Sequence, residues 1–144
     1  MSIRIQQGTL EQVKIVVDNI DEFTRKQSLE SMQEKLEGRD HLILIALSGD
    51  QPIGFKIGYR LDSKTFYSWF GGVSPEGRKR GIAQSLLERQ EQWAREQAYQ
   101  AIKVKSQNRY PSMLRLLIFN GYLVEKTCES DDIDKLKIEF VKAL

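Results

Sequence analysis

One cysteine, Cys128, and one histidine, His41, occur in 144 residues. No apolar run approaches the roughly 18 to 20 residues that would span a bilayer. The lone cysteine excludes an intramolecular disulfide and fits a reducing compartment. The lone histidine supplies no metal-ligand cluster, so no metal is expected, and its place at the start of an apolar strand reads as a strand-edge or capping position. The N-terminus "MSIRIQQGTLEQ" lacks the apolar segment of a signal peptide, which makes a soluble, cytoplasmic protein with no membrane association the expectation. A dominant charge sign is missing as well: 22 Lys and Arg nearly cancel 20 Asp and Glu, for a net charge of +2. That balance argues against a general nucleic-acid binder and makes any electrostatic site a local one.

What is present is a chain 40% hydrophobic, long enough for one core burying roughly 70% of its unfolded surface. No repeat, linker or low-complexity segment divides it, so residues 1–144 are expected to form a single domain. "IRIQ" alternates as a short strand, and Thr9 with Gln12 forms a capping-box pattern that opens a helix over "LEQVKIVVDNIDEF". "SLESMQEKLEG" places Leu29, Met32 and Leu36 at helical spacing, with Ser28 as cap and Gly38 as stop. "HLILIAL", "IGFKIGYRL" and "TFYSWFGGV" read as three antiparallel strands joined by the turns "SGDQP" and "DSK". An amphipathic helix follows from Gly81 to about Tyr99, then a strand "AIKVKSQ" and a helix "PSMLRLLIFNG". "YLVEKTC" and "KLKIEFVKAL" close the chain as a hairpin across "ESDDID".

The stretch "GGVSPEGRKRGIAQSLL", residues 71–87, places glycines and three cationic side chains ahead of the long helix. A helix start carries unsatisfied N–H groups and the positive end of the helix dipole, which together attract anions. Gly81 and Ala83 stand where a bulky side chain would hold a ligand away from those amides. The Walker pattern G-x-x-x-x-G-K-[ST] and the dinucleotide pattern G-x-G-x-x-G are both absent. A plain reading, solvated loop charges and an ordinary turn glycine, suits the bare hexapeptide "RKRGIA". Its position between a strand ending "GGVSPE" and a long helix favours a pyrophosphate site.

Arg78, Gly81 and Ala83 fit the [R/Q]-x-x-G-x-[G/A] signature, and Val73-Ser74-Pro75-Glu76 fits its V-x-P-E lead-in. On these residues and the order of elements, the whole chain resembles the GCN5-related N-acetyltransferase (GNAT) family. The resemblance implies a mixed α/β (α+β) fold, with four helices flanking a mostly antiparallel seven-stranded sheet splayed between its fourth and fifth strands. Acetyl coenzyme A would enter the splay as co-substrate. Backbone amides of Lys79, Arg80, Gly81, Ile82, Ala83 and Gln84 would hold its pyrophosphate, with the side chains of Arg78, Lys79 and Arg80 near the phosphates. The Val73 backbone would bind the pantetheine arm. Gly71 and Gly72 would form a bulge beside the thioester, or simply a flexible strand end. Asn108 and Gly121-Tyr122 fit the family's second motif more loosely, with Asn108 directed into the gap.

The resemblance further implies direct attack of a primary amine, from a small molecule or peptide, on the thioester, with a backbone N–H near Val73 polarising the carbonyl. Many members carry a tyrosine four residues before the glycine of the second motif, where it protonates the leaving thiolate; here that residue is Leu117. Tyr110 is an alternative catalytic candidate or a packing residue. No carboxylate occurs on the fourth strand, so proton removal falls to water relayed by Tyr67 or Ser68, or to Glu22, Glu30 or Asp62, with no single base singled out. Trp69 and Phe70 are expected on opposite faces of that strand, and Cys128 as a small buried hydrophobe. "ESDDID" reads as a solvated loop or as an attractor of a cationic acceptor. A second function fits the missing tyrosine: a non-catalytic acyl-coenzyme A sensor on the same fold. The sequence leaves open the identity of the acceptor and the oligomeric state, a homodimer included.

Overall fold

The computed structural model describes residues 2–23 and 26–144. In chain order the elements are β1 (Ile3–Gln7), α1 (Leu10–Asp18), α2 (Leu29–Leu36), β2 (His41–Ser48), β3 (Gln51–Arg60) and β4 (Thr65–Val73). A 3-10 turn, Pro75–Gly77, leads to α3 (Ile82–Glu96), β5 (Ala101–Gln107), α4 (Pro111–Phe119) and β6 (Leu123–Cys128). A second 3-10 turn, Ile133–Lys135, precedes β7 (Lys137–Ala143). The strands form one seven-stranded sheet in the order β1-β2-β3-β4-β5-β7-β6. Every pairing is antiparallel except that of β4 with β5. The result is the mixed α/β architecture with four helices anticipated from the sequence.

Local chemistry sets the first two helices. Thr9 accepts from the Gln12 amide while the Gln12 side chain accepts from the Thr9 amide, a reciprocal box that satisfies two donors at the start of α1. Ser28 caps α2 through Ser31 N–H. α1 stops at Asp18 rather than running to Phe23. Asn19 and Ile20 donate to Val16 and Val17 and close the helix in a tight turn, while Ile20 still reaches the core at 3% exposure. The apolar spacing thus outlasts the helix that it suggested.

The sheet separates two cores. Val13, Val16 and Val17 of α1 and Met32 and Leu36 of α2 pack with Ile45, Phe55, Ile57 and Tyr59 on one face. On the other, Ile82, Leu86, Leu87 and Ala94 of α3 and Leu117 of α4 pack with Leu44, Ile53, Phe66, Ile102 and Phe140. Side chains of this size, removed from water, are the main source of the fold's stability.

Two expectations about β4 need correction. Its register against β3 shifts between Ile57, which pairs with Phe70, and Gly58, which pairs with Ser68, so the extra residue is Trp69. The bulge is therefore at Trp69, and Gly71 and Gly72 sit in regular register with Lys56 and Phe55. An extra residue breaks the two-residue alternation. Trp69 and Phe70 accordingly join the same α1/α2-side cluster instead of opposite faces, with ring centroids 5.6 Å apart.

Cys128 is also misplaced by the sequence reading. β7 enters between β5 and β6, so β6 becomes the outer edge with all six of its residues exposed, Cys128 among them.

Candidate functional site

β4 and β5 are paired from Thr65 with Ala101 to Ser68 with Val104, and the pairing stops there. β4 continues against β3 to Val73, and β5 continues against β7 to Gln107. The facing edges of Trp69–Val73 and Lys105–Gln107 therefore diverge, leaving a wedge whose backbone groups need partners from elsewhere. The Trp69 bulge begins where the pairing ends, and a bulge increases local twist, which gives the divergence a physical cause.

Among the described residues, the buried side-chain atoms without a hydrogen-bond partner are Ser74 Oγ, both amide atoms of Gln90, Gln107 Oε1 and Arg109 Nε. Ser74 follows β4, Gln107 ends β5 and Arg109 lies just beyond it. Gln90 is on α3, the helix beneath the sheet. Buried polar groups are normally paired, so the unpartnered atoms of Ser74, Gln107 and Arg109 along the two lips leave room for a polar ligand to complete them.

α3 starts at the outer end of this wedge. Its N-cap, Gly81, has φ +73°, offers no side-chain cap, and is followed by no acidic residue in the first turn. Lys79 has φ +61°, in the left-handed region that non-glycine residues rarely adopt. The amides of the first turn thus face outward without an intramolecular acceptor, together with the positive end of a 15-residue helix. No atom lies within 4 Å of a Cβ built on Gly81, so space as well as dipole is available there. Gln84 and Asn120 exchange amide hydrogen bonds of 2.8 and 2.7 Å and tie the start of α3 to the end of α4.

The other expected residues have distinct places. A Cβ on Gly72 would lie 2.7 Å from Ile20 Cδ1, so that glycine admits the segment just after α1 close against β4. A Cβ on Gly71 would press on the Phe55 carbonyl oxygen at 3.3 Å and meet the Lys56 side chain at 3.6 Å. Arg78 turns back: its Nε donates to Val73 O at 3.4 Å, and its guanidinium pairs with Glu22 at 2.6 Å. That contact holds the Glu22 carboxyl below its ordinary pKa and engages it, which removes it as a ready base. Asp62 accepts from the amides of Lys64 and Thr65 in the β3–β4 turn, at the end of β4 opposite the wedge, where those bonds lower its pKa. Glu30 borders a surface groove with Glu34 and His41. Through the pairing of His41 with Tyr59 and of Tyr59 with Tyr67, that groove also lies toward the closed end.

Tyr67 and Ser68 stand where the pairing ends. Burial raises the Tyr67 phenol to about 12, so it stays protonated. Ser68 is buried at 4% exposure. Tyr110, at the start of α4, lies under the Arg109 guanidinium at 5.0 Å. Asn108 Nδ2 donates to Ile133 O at 2.9 Å and braces the β6–β7 connection against the end of β5. Leu117 is 1% exposed within the α3/α4-side core.

Sequence reading missed Lys56, Gln90 and Glu91, which are buried at 6%, 1% and 5% exposure on the α3 side. Their signal was a polar residue on an apolar stripe: one lysine inside "IGFKIGY", and Gln90 between Leu86 and Ala94 at four-residue spacing. Glu91 accepts from Tyr122 Oη at 2.8 Å and from Lys142 Nζ at 3.0 Å. Burial lowers the Lys56 ammonium to about 8 despite an upward pull from Glu91. Among the described residues, no three His, Cys, Asp or Glu gather as metal ligands, and no helix is long and apolar enough to cross a membrane.

The sequence matches the family model described as "Acetyltransferase (GNAT) family" over residues 13–116. No curated protein matches it. The fold is similar to that of the ribosomal-protein-S18-alanine N-acetyltransferase from Escherichia coli, with TM-score 0.86, 12% identity, and 99% of this chain and 94% of that one covered. It is similar to Ard1 from Thermoplasma volcanium, with TM-score 0.85, 11% identity and coverage of 100% and 99%. A GNAT family acetyltransferase from Elizabethkingia anophelis, solved with acetyl-CoA bound, gives TM-score 0.75, 16% identity and coverage of 99% and 98%.

Proposed function

The chain belongs to the acetyltransferase (GNAT) family, and on that premise we propose that it transfers an acetyl group from acetyl coenzyme A to a primary amine of a small molecule or peptide. The observation that carries this reading is the coincidence of two unfinished structures: the β4/β5 wedge and the uncapped start of α3, adjoining at the end of β4. One suits an extended arm that can pair with exposed strand edges, and the other suits a pyrophosphate. The unpartnered Ser74, Gln90, Gln107 and Arg109 atoms fit a ligand carrying amides and hydroxyls between them.

The amides of residues 79–84 hold the phosphates, and the side chains of Lys79 and Arg80 add charge beside them. The β4 edge from Gly71 to Val73 binds the arm and aims an N–H at the carbonyl that gains charge during transfer. Acetyl coenzyme A supplies the activated acetyl group. The amine enters from the α1/α2 side, along the aromatic wall of Tyr59, Tyr67, Trp69 and Phe70. With Glu22 engaged by Arg78 and Asp62 remote, the amine's proton leaves to water, and the protonated Tyr67 acts as a hydrogen-bond donor rather than a base.

The similarity to a protein that acetylates a ribosomal-protein alanine supports a peptide acceptor. Calorimetry should show micromolar acetyl coenzyme A binding, and its absence would defeat the proposal. The buried, hydroxyl-free Leu117 favours one second reading, a sensor that binds without turnover. Thiol release with peptides, polyamines or amino acids excludes the sensor; silence across that panel with the cofactor bound establishes it.

A further inference from the structure

We propose that Lys56 is the acid of this site: its ammonium lies under the β4/β5 wedge, stabilises the departing thiolate and gives it a proton. The inference rests on the acetyl-transfer reading above and assigns a catalytic residue where the sequence showed none.

Three observations locate the ammonium. Lys56 is paired with Gly71 of β4, beside the divergent edge, and its side chain turns toward α3. Because Gly71 has no side chain, nothing of that residue screens the ammonium from the wedge; a Cβ there would sit 3.8 Å from Nζ. The charge that attracts Lys56 is Glu91 on α3, and Glu91 in turn holds Lys142 of β7. Strand order places β4 between β3 and the divergent edge, so a Lys56 side chain lying against Gly71 reaches beneath the strand that forms one lip of the wedge.

A structural role explains the residue less well. Among the described residues, no carboxylate forms an ion pair with Lys56, although the residue is 6% exposed. Glu91 is committed elsewhere, to Tyr122 Oη, to Lys142 and, at 3.8 Å, to Arg95. An ammonium in so buried a residue, with no carboxylate beside it, is costly. A transient anion in the wedge supplies the missing partner. Leu117 presents no hydroxyl to that anion, so no competing acid stands on α4 at the position where the family's tyrosine would be.

The step balances. The amine nitrogen forms a bond to the acetyl carbon, the carbon–sulfur bond breaks, and its electron pair leaves on sulfur. Lys56 Nζ passes one proton to that sulfur, giving the thiol. The new amide sheds its surplus proton to water, and neutral Lys56 recovers one from water. With a pKa brought down to about 8 by burial, the group donates and recharges near neutral pH.

Coenzyme A itself is the probe. Ultraviolet titration of its thiolate, bound to the wild-type protein, should give a midpoint at least about one pH unit below that of the free thiol, the effect of a close cation. Lys56→Met should abolish that shift, erase any preference for coenzyme A over desulfo-coenzyme A, and lower kcat about a hundredfold with acetyl coenzyme A affinity within about threefold. Lys56→Arg should keep the thiol shift. Coenzyme A that binds with an unshifted thiol, or a shift that persists in Lys56→Met, overturns the assignment and leaves the acetyl-transfer reading intact. Failure of the wild type to bind coenzyme A overturns both.

Discussion

α1 and α2 begin on Thr9 and Ser28, whose side chains accept from their own first turns, and each adds an acidic residue, Glu11 or Glu30, at the positive end of the helix. α3, on the other face of the same sheet, begins on Gly81 with no capping side chain and no acid, and α4 begins on Tyr110 in the same condition. The cores differ in the same sense. Under α1 and α2, Phe23, Phe55 and Phe70 pack ring against ring at 4.9 to 5.3 Å. Against α3, the core carries a buried lysine, a buried glutamate and an amide with no partner. One side is closed by its own chain, and the other leaves donors, space and charge for something that is not chain. Position in the fold therefore says more about function than composition does.

The largest expected effect tests the buried charge. The folded-state pKa of Lys56 is lowered to about 8 from 10.5. Between those values the unfolded chain binds more protons than the folded one, so stability rises with pH through that window. Below pH 8 both states are protonated, and the buried charge costs up to about 3 kcal/mol. Lys56→Met should thus be more stable than wild type at pH 7, with the gap closing toward pH 10.5. Urea unfolding at a series of pH values measures it, and parallel curves for the two proteins would remove the electrostatic half of the contrast.

Next in size is the conversion of the α3 start into one like α2. Gly81→Asp supplies an internal acceptor and a negative charge where an anion is expected. Acetyl coenzyme A affinity should fall about a hundredfold, or about 2.7 kcal/mol by calorimetry. Unfolding free energy should change by less than about 1 kcal/mol, because aspartate tolerates positive φ better than most residues. The reciprocal changes, Thr9→Ala and Ser28→Ala, should each cost about 1 kcal/mol of stability by urea unfolding and leave affinity within about twofold. Equal losses of affinity at Ser28 and Gly81 would show that the two helix starts do not differ in kind.

How far this contrast can be read from sequence depends on the kind of signal. The boundaries of β4 and β5 are legible because "TFYSWFGGV" and "AIKVKSQ" lie between turn residues, and the α3 start is legible because its glycine and cations follow a strand. The end of α1 is not, since Ile20 and Phe23 keep helical spacing after the backbone has turned at Asn19. The Trp69 bulge is invisible to a period-two reading, because an inserted residue changes which face follows it without changing composition. Nor does sequence order disclose that β7 enters between β5 and β6, so Cys128 reads as interior in the sequence and is exposed in the fold. Lys56 and Gln90 leave a trace as polar residues on apolar stripes, but only the strand pairing shows that Lys56 lies beside Gly71 at one lip of the wedge.

Arg78 belongs to both sides, and the smallest expected effect separates its roles. Its guanidinium leans on Glu22, just after α1, and on the Val73 carbonyl, while its backbone enters the α3 start. The pair is largely exposed, with side chains 40% and 57% accessible, so solvent and salt weaken it. If the bridge holds Arg78 away from the phosphates, Glu22→Gln should release it and raise acetyl coenzyme A affinity about two- to threefold at low salt, with the gain vanishing at high salt. If the bridge instead fixes the loop so that the amides of residues 79–84 converge, the same change should lower affinity, and Arg78→Ala should lower it equally. The Glu22 carboxyl, held below its ordinary pKa by Arg78, keeps the bridge intact through neutral pH and releases it only as pH falls through that lowered value. The open geometry of the α3 start, whose amides need no help from Glu22 to face outward, favours the first outcome, and calorimetry on the two variants at two salt concentrations decides it.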